Sequence, residues 1–280
     1  MPNIPDTFII PSMAIIFDGK KFVKDREVAL RIRIAGMGGV KPKLASILAG
    51  NDPASTLYVN LKKKAAERVG AEVEIYTIHD RIGPDHIVRL IKYLNADSQT
   101  HGIMVQLPLP KRLRENQNEI IGAIAPNKDV DGLRADSPFV HPTSLAALQI
   151  LAFAESWLKR KIKKLAVVGA SGMVGRHVVA EAVHLGYKIQ KFTSLNKGQL
   201  RVRGSAADAM ITATGKPGLI KADMVGKGVI VIDVGSPKGD VDPAVSKKAG
   251  FITPVPGGVG PVTVFCLLEN LVTAAYAQSI

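Results

Sequence analysis

Short apolar runs alternate along this chain with longer segments in which apolar residues recur every three or four positions. Runs of about four to eight apolar residues are typical of buried strands, and the longer periodic segments are typical of helices with one buried face. Strands are predicted at PKLASILAG, AEVEIYTI, GIMVQLPLP, KKLAVVG, YKIQKFTS, ADAMITATG and GVIVIDVG. The alternation predicts parallel sheets covered by helices, which is an α/β fold.

The first long helix is predicted over DPASTLYVNLKKKAAERVG, which begins at Asp52. Asp52 is a suitable N-cap, and Pro53 suits the first helical position. Tyr58 and Lys62 are four residues apart and therefore share one face of this helix. The stripe beside them, which is predicted to be buried, consists of Leu57, Leu61, Ala65 and Val69. We therefore expect Tyr58 and Lys62 at the edge of the buried face, whereas Lys63 and Lys64 point elsewhere.

An irregular, proline-containing stretch, VDGLRADSPFVHPTS, interrupts the pattern, after which strands and helices resume. A chain of 280 residues suits about two domains. The boundary is placed near residue 142, which gives domains at 1–142 and 143–261. A long helix over VTVFCLLENLVTAAYAQ follows, and its spacing does not indicate which domain it packs on.

The composition is that of a globular protein, with 46% hydrophobic and 22% charged residues. No apolar run approaches the roughly 20 residues that span a bilayer. The stretch FIIPSMAIIF is short, contains a proline and lacks the features of a signal peptide. Cys266 is the only cysteine, which excludes an intrachain disulfide and a Cys/His zinc cluster. A reducing cytoplasm is the expected location.

The formal net charge of +13 favours anionic partners, such as nucleic acid, phosphorylated cofactors or polycarboxylate substrates. The basic residues are spread along the chain, and no basic run is interleaved with aromatic residues. No nucleic-acid-binding motif is recognisable, so nucleic acid is not an expected partner. A generally basic surface without a specific partner explains the charge equally well.

Three glycines, Gly169, Gly172 and Gly175, lie between a predicted strand and a predicted helix. In that position, backbone N–H groups and the helix N-terminus can bind a pyrophosphate. The spacing is GxxGxxG, whereas dinucleotide-binding turns usually have GxGxxG. A tight structural turn is the alternative, although the strand–turn–helix context favours a cofactor.

The strand after this turn indicates which cofactor the turn would bind. NAD-specific sites usually carry an Asp or Glu about 20 residues further on, which binds the ribose 2′-hydroxyl. This chain offers Lys191, Thr193 and Ser194 there, and no acid. A lysine and hydroxyls suit a 2′-phosphate better, which favours NADP, unless Lys191 is simply an exposed charge at a strand end.

Gln106 and two aspartates could join Lys62 in a site. Gln106 lies in the apolar run VQLPLP and needs a hydrogen-bond partner, either structural or a lysine. The segment KDVDG places Asp129 and Asp131 in a turn, where acids commonly serve only the turn itself. Lys62 could act as an acid or base if burial lowered its pKa, although an arbitrary lysine is usually solvated.

Several stretches together resemble the bifunctional methylenetetrahydrofolate dehydrogenase/methenyltetrahydrofolate cyclohydrolase family. They are IIFDGKK, DPASTLYVNLKKKA, GIMVQLPLPKRL, PNKDVDGL, VVGASGMVG, VIDVG and TPVPGGVGPVT, and they span residues 15–263 in the family's order. The resemblance implies two α/β domains around a cleft, the second a Rossmann-like NAD(P)-binding domain, usually in a homodimer. It also implies that the helix from about 262 to 280 returns to the first domain.

The resemblance implies two reactions: NADP-dependent oxidation of 5,10-methylenetetrahydrofolate to methenyltetrahydrofolate, then hydrolysis to 10-formyltetrahydrofolate. Lys62 is the expected general acid/base, and Gln106 is expected to bond to it and tune it. Tyr58 is expected to stack on the aminobenzoyl ring, and Asp131 to bind the pterin amino groups. Folate and cofactor contacts are expected from Pro256, Gly257 and Gly258. The expected cofactor-binding residues are Gly169, Ala170, Ser171, Gly172, Gly175, Lys191, Ser194 and Ser236. No metal is expected.

The departures from the family pattern lie mostly on the cofactor side. Ala170 stands where an arginine commonly helps to bind the 2′-phosphate, and Lys191 or Arg176 could compensate. NAD is therefore an open alternative to NADP. The folate-side residues are intact. If one activity has been lost, we therefore expect it to be the dehydrogenase, and the protein would then be only a cyclohydrolase. A non-catalytic nucleotide- or RNA-binding protein would not need the set around Lys62.

Overall fold

The structure, a computed structural model, describes residues 14–79 and 81–279. Most of the stretch FIIPSMAIIF therefore lies outside the described residues. The chain forms two compact units: unit 1 comprises 14–20 and 143–261, and unit 2 comprises 21–142 and 262–279. From the sequence, residues 14–20 were expected in the domain of 1–142. They belong to unit 1 because they carry a short strand that completes its sheet.

In chain order the strands are β1 (Ile15–Ile16), β2 (Lys43–Ala49), β3 (Glu72–Ile78), β4 (Gly102–Val105), β5 (Lys164–Val168), β6 (Lys188–Phe192), β7 (Ala209–Thr212), β8 (Ile230–Asp233) and β9 (Phe251–Ile252). The α-helices are α1 (Gly19–Ala35), α2 (Pro53–Val69), α3 (Pro84–Ala96), α4 (Gln117–Gly122), α5 (Pro142–Trp157), α6 (Met173–His184) and α7 (Val259–Ala277). The predicted α/β fold with parallel sheets is confirmed.

Unit 2 is built on a three-stranded parallel sheet in the order β3-β2-β4. Strand β2 is buried along almost its whole length, as expected of a central strand. The core of unit 2 contains Ile47, Ile103 and Val105 from the sheet and Ile87 and Ile91 from α3. The carboxyl ends of β2 and β4 therefore lie side by side, and the segment after β4 begins at that edge.

Helix α2 begins as its sequence predicts. The Asp52 side chain accepts a hydrogen bond from the Ser55 N–H at 2.7 Å, and Pro53 occupies the first helical position. The helix ends at Gly70, whose φ of 89° is the left-handed conformation that glycine adopts without strain. The start of the helix depends on residues next to it in sequence, which is why the pattern identified it.

The predicted buried stripe of α2 is wrong in part. Leu57 and Leu61 are 59% and 46% exposed. The buried residues of the helix are Ser55, Val59, Ala65, Ala66 and Val69. Leu57 and Leu61 each lie two positions from Val59, which is about 200° around the helix, so they point away from the sheet. The face with smaller side chains packs on the core, and Tyr58 and Lys62 flank it, half-buried.

The predicted strand GIMVQLPLP is shorter than expected, because β4 ends at Val105. The Gln106 N–H still bonds to the Ile47 carbonyl at 2.8 Å, and the Leu107–Pro108 peptide that follows is cis. A proline has no N–H to donate to the ladder, so pairing stops there. Gln106 thus stands at the point where the chain leaves the sheet.

Unit 1 contains a six-stranded parallel sheet in the order β1-β9-β8-β7-β5-β6. The strands that follow β5 lie on both sides of it, since β6 is on one side and β7 on the other. The carboxyl ends of β5 and β7 therefore flank the point where the strand order reverses, which is where open α/β sheets bind ligands.

Helix α7 is long and apolar enough to cross a membrane by length and composition, which the sequence analysis overlooked. Within its most apolar 18-residue stretch, 61% is buried inside the protein. Its side chains Leu267, Leu268, Leu271 and Val272 are almost fully buried. Core helices of globular proteins have the same composition, so α7 by itself does not indicate a membrane span.

Candidate functional site

A lysine and a glutamine meet in unit 2, as the sequence analysis expected. Lys62 projects from α2, and its Nζ donates a hydrogen bond to Gln106 Oε1 at 2.9 Å. The same Nζ lies 3.5 Å from the Met104 sulfur. Gln106 donates its own Nε2–H to the Leu107 carbonyl at 2.8 Å, so the amide is held with its oxygen toward the lysine. The amine is thus fixed in position by a group that can only accept from it.

Burial lowers the pKa of Lys62 from its ordinary value, and the negative charge of Asp131 opposes that lowering. An amine buried beside a thioether and an amide loses hydration that its charged form needs. The proton on Nζ is therefore held less tightly than on a solvated lysine, which is what proton transfer near neutral pH requires.

The remaining two residues of the expected set lie in the same unit. Asp131 is half-buried in the turn that follows the helical turn Pro126–Lys128, and its charge acts on Lys62. Tyr58 is half-buried on α2, one helical turn before Lys62. An aromatic ring, an amine, an amide and a carboxylate are thus presented by unit 2, although the roles assigned to each remain predictions.

The turn that carries Asp131 is fastened by contacts that the sequence did not reveal. Lys128 is 5% exposed, and its Nζ donates to the Leu94 and Asp97 carbonyls at 3.1 and 2.7 Å, at the C-terminus of α3. A cation at the end of a helix pairs with carbonyls that have no partner within the helix. The signal available in the sequence was the lysine that directly precedes the first of the two acids in KDVDG.

Helix α7 fastens the other side of this turn. The Asn270 side-chain amide donates to the Val130 carbonyl at 2.9 Å and to the Val140 carbonyl at 3.0 Å. Asn270 is 8% exposed and stands among leucines and valines, where an unpaired amide would be costly. The polar residue within an apolar helix was the available signal, but its partners lie 130 and 140 residues away in sequence.

The glycine turn of unit 1 joins β5 to α6. Gly169 has a φ of 82°, and a Cβ there would collide with the Ala213 carbonyl. A Cβ on Gly175 would collide with the Gly169 carbonyl, so the first turn of α6 packs directly on the glycine loop. The glycines at these two positions are therefore required by close backbone packing, whatever else the turn binds.

The N-terminus of α6 is open to an anion. Gly172 is its N-cap and has no side chain with which to cap the helix. Ala170 is buried and its N–H bonds to the Phe192 carbonyl at 3.1 Å, whereas Ser171 is exposed. An uncapped helix N-terminus after a glycine turn suits the pyrophosphate of a dinucleotide. The residues present therefore fit such a cofactor.

The other expected cofactor residues lie at the same edge of the sheet, and all are exposed. Lys191 pairs in register with Val167 near the end of β6, and Ser194 lies in the loop that follows. Ser236 lies in the loop after β8, before a cis peptide bond to Pro237. Their exposure leaves them accessible to a ligand, and their assignment to the cofactor remains a prediction.

The segment Pro256, Gly257 and Gly258 follows β9 and leads into α7. The Gly19 N–H donates to the Gly257 carbonyl at 3.0 Å, which ties the segment to the start of α1 within unit 1. Gly258 in turn donates its N–H to the Pro254 carbonyl at 2.9 Å. The segment is a fixed turn, and its expected contacts with folate and cofactor remain predictions.

Two buried aspartates that the sequence analysis missed organise the loops at this edge. Asp233, at the end of β8, accepts three backbone N–H bonds from the loop after it, and burial raises its pKa. Asp240 accepts from the Thr212 hydroxyl at 2.9 Å and from the Thr214 N–H at 2.6 Å. Together they fix the loops that follow β7 and β8.

A doubly wound unit with an uncapped glycine turn, joined to an α/β unit that buries a lysine, defines a class of two-unit α/β enzymes that bind dinucleotides. Comparison with known proteins is more specific. Residues 17–131 match the tetrahydrofolate dehydrogenase/cyclohydrolase catalytic domain, and residues 142–279 match the NAD(P)-binding domain of the same enzymes. The chain belongs to the tetrahydrofolate dehydrogenase/cyclohydrolase family.

Individual relatives agree along nearly the whole chain. The bifunctional protein FolD of an Exiguobacterium species is 38% identical over 94% of this chain and 99% of its own length. The crystal structure of FolD from Campylobacter jejuni has a TM-score of 0.87 at 35% identity, covering 95% of this chain and 99% of that one. The Trypanosoma brucei dehydrogenase-cyclohydrolase, complexed with NADP and an inhibitor, has a TM-score of 0.86 at 28% identity, covering 95% and 98%.

Proposed function

We propose that this protein oxidises 5,10-methylenetetrahydrofolate to methenyltetrahydrofolate with NADP, and hydrolyses the product to 10-formyltetrahydrofolate. The observation that carries the proposal is the buried Lys62 amine, held 2.9 Å from Gln106 and influenced by the charge of Asp131. Family membership supports both activities, and the T. brucei relative was solved with NADP.

Lys62 acts in the hydrolytic step. Neutral Nζ accepts a proton from the water that attacks the methenyl carbon, and a C–O bond forms. The bond from that carbon to one ring nitrogen then breaks, and Nζ returns its proton to the departing nitrogen. The hydroxyl proton leaves to solvent as the formyl carbonyl forms, so one proton is released overall.

Gln106, Asp131 and Tyr58 place the reacting groups. Gln106 orients the amine by accepting one of its hydrogen bonds, which keeps the nitrogen lone pair in a defined direction. Asp131 offers a carboxylate to the amino groups of the pterin, as the family resemblance implies. Tyr58 provides a ring against which the aminobenzoyl group stacks. Folate bound by all three would expose its one-carbon bridge to Lys62.

The glycine turn of unit 1 binds the cofactor, which supplies the acceptor for the hydride that leaves the methylene carbon. The turn at Gly169–Gly172 and the N-terminus of α6 receive the pyrophosphate. Lys191 and Ser194 receive the 2′-phosphate in place of the arginine that Ala170 replaces, which is why NADP is preferred over NAD. Ser236 contributes from the loop after β8. No general acid or base is needed for this step, so correct placement is the main contribution of the protein.

A two-stage absorbance assay tests the proposal. Purified protein is first given methylenetetrahydrofolate with NADP+ or NAD+, and methenyl formation is followed. It is then given methenyltetrahydrofolate alone, and its loss is compared with the uncatalysed rate. Activity in both stages is expected, with NADP+ as the better oxidant. Hydrolysis without oxidation would leave only a cyclohydrolase, and the absence of both activities would refute the proposal.

We also propose that the protein works as a homodimer in the cytoplasm, with tetrahydrofolate derivatives rather than nucleic acid or membranes as partners. The family resemblance supports the dimer, and a single, buried cysteine suits a reducing compartment. Light scattering at the concentrations of the assay would contradict the dimer if it gave the mass of one chain. Fractionation of the source cells would test the location.

A further inference from the structure

Asp129 is the first acid of KDVDG and is 0% exposed. Its Oδ2 accepts the Arg134 N–H at 2.9 Å. Its backbone carbonyl accepts the Ser137 hydroxyl and the Gly132 N–H, each at 3.0 Å. One residue therefore ties together the beginning, middle and end of the loop 129–137, in which Asp131 lies.

The second carboxyl oxygen of Asp129 is buried and has no hydrogen-bond partner among the described residues. A buried carboxylate oxygen without a donor is costly, and the cost falls when the group binds a proton. Burial and, to a lesser extent, the negative charge of Asp131 together raise the pKa of Asp129 to about 6, against the hydrogen bond from the Arg134 N–H, which lowers it. The group can therefore exchange a proton close to neutral pH.

The charged groups that act on Asp129 are few. Asp131 opposes its ionisation, whereas Arg134 approaches it chiefly through its backbone N–H, since the guanidinium pairs with Asp136 at 2.7 Å. Lys128 points to the carbonyls at the end of α3, and α7 presents the neutral Asn270 to the carbonyl of the neighbouring Val130. Asp131 is thus the shared electrostatic neighbour of Asp129 and Lys62.

We propose that Asp129 is a positioning residue of the folate site: its carboxyl group fixes the loop that carries Asp131, and its charge is coupled to that of Asp131 two residues further on. The inference rests on the proposed function. Asp129 touches neither substrate nor Lys62 in this role. The structural and electrostatic contributions of Asp129 can be separated by Asp129→Asn, because an amide can hold the loop but cannot titrate.

The loop contribution is tested by Michaelis constants. Asp129→Ala removes the acceptor for the Arg134 N–H, so KM should rise about tenfold for both folate substrates. Asp129→Asn keeps an acceptor oxygen and should restore KM to within about threefold of the wild type. Asp85→Asn, at an exposed carboxylate in the first turn of α3, is the matched control and should leave KM unchanged. A wild-type KM in Asp129→Ala would overturn the inference.

The electrostatic contribution is tested by carboxyl-carbon NMR titration, which needs no turnover. The Asp129 signal, assigned by its loss in Asp129→Asn, should titrate near pH 6. In Asp131→Asn its midpoint should move to lower pH, because a like charge has been removed, and in Asp85→Asn it should stay in place. An unchanged midpoint in Asp131→Asn would overturn the inference. A wild type that shows this titration but turns over neither folate would refute the proposed function and leave the coupling between the two aspartates standing.

Discussion

Lys62 and Gln106 meet at 2.9 Å although one lies on a helix and the other at the end of a strand, 44 residues apart in sequence. The helix is fixed by its caps and the strand by its backbone hydrogen bonds, so the positions of both side chains are set before they contact each other. Such preorganisation lets an amine lose hydration without losing its position.

Lys62→Met should abolish the hydrolysis of methenyltetrahydrofolate, with a loss of at least about a hundredfold, because the side chain keeps its length but cannot carry a proton. The fold should be kept, with a loss of at most about 1–3 kcal/mol of unfolding free energy, since an apolar group of similar size fills the space but leaves Gln106 Oε1 without its donor. Absorbance of the methenyl substrate measures the rate. The matched control is Lys63→Met, at an exposed neighbour on the same helix. Hydrolysis at the wild-type rate in Lys62→Met would show that another group is the base.

Lys191→Gln should lower the preference for NADP over NAD about fivefold, which corresponds to the loss of about 1 kcal/mol from one exposed charge contact with the 2′-phosphate. The ratio of kcat/KM for the two cofactors measures the preference. Lys188→Gln, at the other end of the same strand, is the control and should leave the ratio unchanged. An equal ratio in all three proteins would show that Lys191 does not contact the 2′-phosphate.

Gly175→Ala should destabilise the protein by about 1–3 kcal/mol, since the new methyl group would collide with the Gly169 carbonyl and backbone cannot move aside cheaply. At Gly172 the same methyl group would lie 3.2 Å from that carbonyl, which is a much milder contact. Gly172→Ala should therefore keep most of the stability but weaken NADP binding, because the methyl group stands at the N-terminus of α6. Urea unfolding and cofactor titration distinguish the two effects. Equal stability of both variants would contradict the collision.

Asp129→Asn should flatten the pH dependence of stability between about pH 4 and pH 6. In the folded protein Asp129 has a pKa of about 6, whereas an unfolded aspartate has one of about 3.9. Between these values the folded state binds more protons, so the wild type loses unfolding free energy as the pH rises, and the loss is complete above about pH 6. A shift of about two units corresponds to about 3 kcal/mol. Urea unfolding of both proteins at pH 4 and pH 7 measures the difference, and parallel behaviour would exclude Asp129 as the titrating group.

Local features of the fold were predictable from the sequence. Asp52 and Pro53 act on the backbone within a few residues of themselves, so their effect can be predicted from the local sequence. Lys62 and Gln106 were expected to meet, and they do. That expectation came from the resemblance to a family, since nothing in the spacing of two residues so far apart fixes their distance.

The features that were missed depend on the rest of the fold. Helix α1 was not predicted. In its sequence, GKKFVKDREVALRIRIA, charged residues are spread around the helix, so the apolar residues do not form a distinct stripe. Leu57 and Leu61 are exposed because the face of α2 that meets the sheet is decided by packing, not by the most apolar side chains. Strands of two residues, such as β1 and β9, have no period to detect and exist only because they pair.

Unit 2 is completed by helix α7, which follows the main part of unit 1 in the chain. Asn270 of α7 holds the turn beside Asp131, yet the whole of unit 1 from residue 143 onward leaves the ribosome before that helix does. During translation, unit 2 therefore lacks one of its packing helices until α7 has been synthesised. A chain that stopped after unit 1 would lack the Asn270 hydrogen bonds that hold the turn beside Asp131.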